Sequence, residues 1–190
     1  MKKVLLLVLL VVAGPATADG LSYNYVQAGY ASANIDGDDF TGDIDGDGWF
    51  IGGSAALTDN FFMYGDYTSL GLDFDVDYDE FELGIGYNYS LGENTDFVAG
   101  LSYIKAEAKA FGMSADDDGY GLRLGLRSKL SDTIEVEGGI EYADTDEGSS
   151  TALVAGILFD VSDNIAIGVG AGWDVDVTIY NAGFRFYFGD

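Results

Sequence analysis

The chain has no histidine, no cysteine, one proline, and only 8 basic residues to set against 33 acidic ones in its 190. Each shortage excludes something. Without histidine there is no Ser–His or Cys–His nucleophile pair and no imidazole-bound metal. Without cysteine there are no disulfides, no thiolate chemistry and no lipid attached through sulfur. A formal charge of −25 speaks against nucleic-acid binding, because a phosphate backbone is held by the lysines and arginines that neutralise it. No apolar run reaches the ~18 residues that a membrane-crossing helix needs.

What is present is equally lopsided. Hydrophobic residues make up 48% of the chain and aromatics 14%, far too much for a disordered acidic polymer. Residues 1–18 read as a secretory leader: Lys2 and Lys3, an unbroken apolar run from Val4 to Ala13, then Ala16-Thr17-Ala18 as the cleavage site. Cleavage after Ala18 leaves 19–190 as a single domain without proline. Losing Lys2 and Lys3 takes the 8 basic groups to 6 against 33 acidic ones, a charge of −27.

From Asp19 onward the sequence alternates with period two, the mark of strands whose faces meet different surroundings. Phe81, Leu83, Ile85, Tyr87 and Tyr89 share one face, with Glu80, Glu82, Gly84, Gly86 and Asn88 on the other. Tyr120, Leu122, Leu124 and Leu126 oppose Gly121, Arg123, Gly125 and Arg127; Tyr180, Ala182, Phe184, Phe186 and Phe188 oppose Asn181, Gly183, Arg185 and Tyr187.

The breaks alternate between two kinds. Four are short and alike, as in Leu57-Thr58-Asp59-Asn60-Phe61 and Leu130-Ser131-Asp132-Thr133-Ile134, and suit three-residue hairpin turns. The others, 32–47, 69–78, 106–118 and 144–150, are longer, glycine-containing and acidic, with a tighter fifth at 174–176. Nine breaks make ten strands: 21–31, 48–57, 61–70, 79–91, 95–105, 119–130, 134–143, 151–161, 165–173 and 177–188.

This predicts an all-β, antiparallel up-and-down transmembrane barrel of ten strands, with short periplasmic turns and longer acidic extracellular loops. The stretch from Tyr120 to Leu130 extends roughly 36 Å, which covers ~25 Å of membrane at a tilt of about 45°. A soluble up-and-down barrel would turn its apolar face inward. Here that face carries essentially no charge, as lipid exposure requires, and aromatics gather near strand ends (Tyr23, Trp49, Phe61, Tyr89, Phe97, Tyr120, Tyr142, Phe159, Trp173, Phe188) as an interfacial belt would.

The residues resemble those of the small outer-membrane β-barrel proteins, the porin-like superfamily that includes the barrel of outer membrane protein A. Ser22-Tyr23-Asn24-Tyr25-Val26-Gln27-Ala28-Gly29-Tyr30, Asp47-Gly48-Trp49 and Gly84-Ile85-Gly86-Tyr87 are most similar to a ten-stranded xanthomonad-type subgroup. The resemblance implies a cell outer-membrane location, with outer-membrane lipid and lipopolysaccharide as surroundings. It also implies assembly through the C-terminal strand, where Phe184, Phe186 and Phe188 alternate but Gly189-Asp190 follow. A ten-stranded barrel closes on itself, so a monomer suffices. It implies no catalytic residue and no cofactor, and the barrel proteases and lipid hydrolases depend on the histidine missing here.

Two groups are candidates for function. Taking Ser131-Asp132-Thr133 as a turn sets Lys129 opposite Glu135, Arg127 opposite Glu137 and Arg123 opposite Glu141, all on the inward face. Arg185, Glu80, Glu82 and Asp66 extend this inward set. Such a network either fills and satisfies a polar lumen or forms the gate of a narrow pore, which the excess of acids would make cation-favouring. The second group lies in the loops. Asp43-Ile44-Asp45-Gly46-Asp47-Gly48 matches the first half of a calcium-loop pattern, but Ser54 stands where the closing glutamate belongs, so an EF-hand is excluded. Weak Ca²⁺ binding by carboxylates of several loops is one expectation, and a simply solvated acidic surface is the other. Function thus divides between a narrow cation-favouring channel and a non-conducting barrel whose acidic loops bind divalent cations, envelope components or host surfaces.

Overall fold

The computed structural model describes residues 21–37 and 42–189; the expected leader lies outside them. Ten strands follow in order: β1 (Tyr25–Ile35), β2 (Ile44–Ala56), β3 (Phe61–Leu72), β4 (Val76–Ser90), β5 (Thr95–Ala110), β6 (Met113–Ser131), β7 (Ile134–Thr145), β8 (Gly148–Ser162), β9 (Ile165–Trp173) and β10 (Val177–Tyr187). Each pairs antiparallel with its sequence neighbours, and β1 pairs with β10, so the sheet closes into a barrel with no free edge. The period-two pattern turns the large apolar side chains outward: Leu122, Leu124 and Leu126 are about half exposed, while Arg123 and Arg127 between them are buried. Tyr23 departs from the expected belt. It is fully buried in the lumen, because two residues before β1 begins it keeps the inward side of Tyr25 and Gln27.

The short turns are close to expectation. Leu57 N–H donates to the Phe61 carbonyl and Leu91 N–H to that of Thr95, at 2.7 and 2.8 Å. Leu130 and Val161 bulge out of their ladders, which shortens the neighbouring turns by one residue and leaves the register of the following pairs as expected.

The long acidic breaks are the main correction. Residues 106–118 are not a loop: β5 runs for 16 residues and β6 for 19, and only Phe111 and Gly112 turn between them. β6 is thus about 60 Å long, well beyond what a membrane requires. Alternation continues there in weaker form, with Ala106, Ala108 and Ala110 toward the lumen side and Lys105, Glu107 and Lys109 outward, and small side chains hide it from a hydrophobic pattern. Since β9 has only 9 residues, the end opposite the short turns is a tall wall on one side and a low rim on the other.

Candidate functional site in the barrel lumen

All ten expected lumen residues lie on inward positions, and the three register pairs Arg123–Glu141, Arg127–Glu137 and Lys129–Glu135 stand opposite each other in the β6–β7 ladder. Register and contact then diverge. Arg123 does bind its opposite partner, with Nε 2.9 Å from Glu141 Oε1, and its Nη2 also lies 3.2 Å from Glu82 Oε2 on β4. Arg127 instead forms a two-pronged pair with Glu135, including an Nη2–Oε2 hydrogen bond of 2.8 Å, and donates to the Ser22 carbonyl at 3.1 Å. Lys129 reaches Asp160 at 3.7 Å. Arg185 donates twice to Gln27 Oε1, at 3.2 and 3.0 Å, and its Nη1 lies 3.7 Å from Glu135. Long side chains lean along their strands, so a partner two residues away competes with the one directly opposite.

Each arginine also lies over a tyrosine ring: Arg123 over Tyr64 at 4.7 Å, Arg127 over Tyr23 at 5.3 Å and Arg185 over Tyr25 at 4.1 Å from the centroid. The planar guanidinium suits such stacking in a way that an ammonium does not. Sequence reasoning missed these three tyrosines. The signal was the shared face of Tyr23, Tyr25 and Gln27, the last being too polar to face lipid. It also missed Asp96, which is fully buried and accepts hydrogen bonds from Tyr23 at 3.2 Å and Ser90 at 2.8 Å.

Glycines make room for the rings. Gly84 and Gly86 on β4 face Tyr64 and Phe62 on β3, and a Cβ on either would run into the facing ring. The glycines of β8 and β9 work similarly: a Cβ on Gly156 would meet the Glu137 carboxylate and one on Gly168 the Leu158 side chain. That wall therefore accommodates long side chains from neighbouring strands.

Of the remaining expected residues, Asp66 and Glu137 are less completely satisfied. Glu80 accepts from Tyr78 at 2.6 Å. Asp66 is buried opposite Glu82, and neither of its carboxylate oxygens has a hydrogen-bond partner; the same holds for one oxygen of Glu137. Unpaired buried polar atoms of this kind are what internal water satisfies. Two cavities beside the charged layer, of about 30 Å³ next to Glu137 and Arg185 and about 10 Å³ next to Arg123 and Glu141, are of the size of one or two water molecules.

Above and below the charged layer lie apolar clusters, with buried polar residues such as Asp96 and Asn88 at one end and Thr68 and Asp117 at the other. Leu21, Tyr23, Phe62, Tyr64 and Val98 cluster near the short turns. Ala31, Ala33, Ile35, Phe50, Leu70, Tyr78, Ala106, Val177 and Ile179 cluster toward the tall end. The lumen is therefore filled by a charged layer packed between two mainly apolar clusters.

The other candidate group does not assemble. Asp45 and Asp47 lie on extended β2, where alternation sends both outward, and Asp43 lies just before it. Asp45 accepts from Asn34 Nδ2 at 2.8 Å and Asp43 from Gly37 N–H at 3.4 Å. An extended strand cannot wrap a cation as a calcium loop does. Among the described residues, no group of three or more acidic side chains comes together as metal ligands would.

Comparisons with known proteins fit this architecture. Residues 4–188 match the family model of the outer membrane protein beta-barrel domain. No curated protein sequence matches the chain. An outer membrane channel from Pseudomonas putida F1 is similar in structure, with TM-score 0.56 and 11% identity over 92% of this chain and 97% of that one. The beta domain of the Bordetella autotransporter Brka has TM-score 0.56 and 8% identity over 87% and 99% of the two chains. The translocator domain of the autotransporter NalP from Neisseria meningitidis has TM-score 0.50 and 12% identity over 87% and 88%.

Proposed function

Because the chain belongs to the outer membrane protein β-barrel domain family, we propose that it is an integral outer-membrane barrel whose lumen is closed, and that its tall acidic end is its working surface. The observation that carries this reading is the layered interior. A path through the barrel would have to cross two apolar clusters and a charged layer in which three buried arginines are each held by an acid or amide and a tyrosine ring. Moving Arg127 away from Glu135 would break a buried ion pair, at a cost of ~3–5 kcal/mol. The short turns then lie on the periplasmic side and the tall wall faces outward, as is usual for barrels with turns of unequal length.

A second reading, a gated cation-favouring channel, is favoured by the charge balance of the inward set. The expected set has six acids (Asp66, Glu80, Glu82, Glu135, Glu137, Glu141) against four bases (Arg123, Arg127, Lys129, Arg185), and inward Asp96, Asp117 and Asp160 add to the acids. Liposome swelling with the refolded mature chain tests both. No swelling in sugars or in salts of small cations is the outcome expected of a closed lumen. Swelling in small-cation salts, from protein shown to be folded, would favour the channel instead.

A further inference from the structure

Two neighbouring hairpins at the tall end finish in an unusual way. The β5–β6 turn consists of Phe111 and Gly112, with φ of 53° and 76°. Positive φ at both central positions defines the turn type for which Asn-Gly is favoured, so the first place holds a bulky aromatic where asparagine fits best. In the β3–β4 turn, Phe74 and Asp75 have φ of 65° and 56°. A large side chain at positive φ is a genuine outlier, and strain of this sort marks working parts of a surface.

Both rings are also exposed to solvent, Phe74 by 62% and Phe111 by 81%. Val76 pairs with Ala110, so the two turns lie side by side. Met113, 69% exposed, follows the second turn. Backbone strain and apolar exposure thus coincide at two adjacent tips, where neither contributes to the core. The surroundings are acidic: Asp73, Asp75 and Asp77 flank Phe74, and Asp116 and Asp118 line the outward face of β6. Of the two lysines on this outward face, Lys109 is engaged by Glu107 at 2.8 Å and Asp79 at 3.5 Å, and Lys105, farther from the tips, stands opposite Asp118 in the β5–β6 ladder.

We propose that Phe74 and Phe111 are the apolar anchors of a docking surface for a cationic amphipathic partner: a basic segment of another protein whose apolar side chains cover the two rings while its lysines and arginines meet the flanking aspartates. Charge selects among occupants. An anionic lipid surface would be repelled by the aspartates, and so would the same face of a second copy of this chain. Aromatic anchors within a charged rim are the usual arrangement at protein interfaces. This inference rests on the reading that the tall end is the working surface.

The test uses the refolded mature chain in zwitterionic nanodiscs, with empty nanodiscs as background. The probes are three labelled peptides followed by fluorescence anisotropy: an amphipathic lysine–leucine peptide, a lysine–serine peptide of equal charge, and a glutamate–leucine peptide. Asparagine accepts the left-handed region, so the double variant Phe74→Asn, Phe111→Asn keeps or firms the hairpins. The first peptide is expected to bind at least about tenfold more tightly than the second and to lose that advantage in the double variant. Equal binding of both cationic peptides, undiminished binding to the variant, or a preference for the acidic peptide would overturn the proposal. Failure of the two readings is distinguishable. Ion flux through the same nanodisc-ready protein would count against the closed lumen and leave a ring-dependent binding result standing, whereas ring-independent binding to an impermeable barrel would remove the docking surface alone.

Discussion

Arg127 stands directly opposite Glu137 in the β6–β7 ladder, yet its guanidinium is paired with Glu135, the residue opposite Lys129. Arg185 approaches the same Glu135 from β10, so one carboxylate joins arginines from two strands that are not neighbours in the sheet. Glu135 is the joint of the charged layer.

Replacing Glu135 by glutamine should therefore destabilise the barrel by about 3–5 kcal/mol, because two buried guanidinium groups lose their carboxylate. Glu137→Gln should cost less than Glu135→Gln, since one of the Glu137 oxygens has no hydrogen-bond partner to lose. Urea unfolding of both variants from lipid vesicles checks the order. Equal effects would mean that the ladder position, and not the observed contact, sets the energetics.

Gly86→Val should displace the Phe62 ring and destabilise by about 1–3 kcal/mol through overpacking. The companion change Phe62→Ala should recover part of that loss, which a double-mutant cycle in the same unfolding assay would measure. Additive effects would show that the ring does not occupy the glycine's space.

On the lipid side, Leu124→Arg near the middle of β6 should cost about 2–4 kcal/mol, whereas a charge at exposed Lys109, beyond the apolar band, is tolerated already. Vesicle unfolding of Leu124→Arg against wild type gives the number. A neutral result would place that face away from the hydrocarbon.

Asp79 lies beyond the apolar band, where burial pushes its carboxyl pKa up but hydrogen bonds from Ser69, Tyr67 and Lys109 outweigh burial and hold it below the ordinary 3.8. A depressed value stabilises the folded hairpin above the ordinary carboxylate pKa, and the contribution fades as pH falls through the folded value. Lys109 is shifted the other way, upward, first by its hydrogen bond to Glu107, so its share is lost only as pH rises through its folded value. Carbon-detected titration should place the Asp79 midpoint below 3.8, and Lys109→Met should raise it. A midpoint unmoved by that change would remove Lys109 as a cause.

Strand number, inward and outward faces and the β6–β7 register were legible because lipid exposure leaves little freedom. A charge facing hydrocarbon is expensive, so Leu122, Leu124 and Leu126 alternate cleanly with Arg123, Gly125 and Arg127. The tall wall was not legible. Beyond the membrane both faces of a strand meet water, and Lys105 to Asp118 carries the composition of a loop while backbone pairing continues. The partners of Arg127 and Lys129 were hidden for a different reason, since register fixes Cα positions and leaves the lean of a long side chain open. Tyr23 was misplaced because an aromatic near a strand end suits both an interfacial belt and a stacking platform for arginine.

Planar-bilayer recording of the refolded mature chain, with salt gradients and with Glu135→Ala run alongside as a variant that loosens the charged layer, tests the closed lumen most directly. A closed lumen gives no steady openings from the wild-type barrel under modest voltage, and ion leakage only when Glu135 is removed. Stable, cation-selective openings of the wild type, with folding and insertion verified in the same sample, would contradict it.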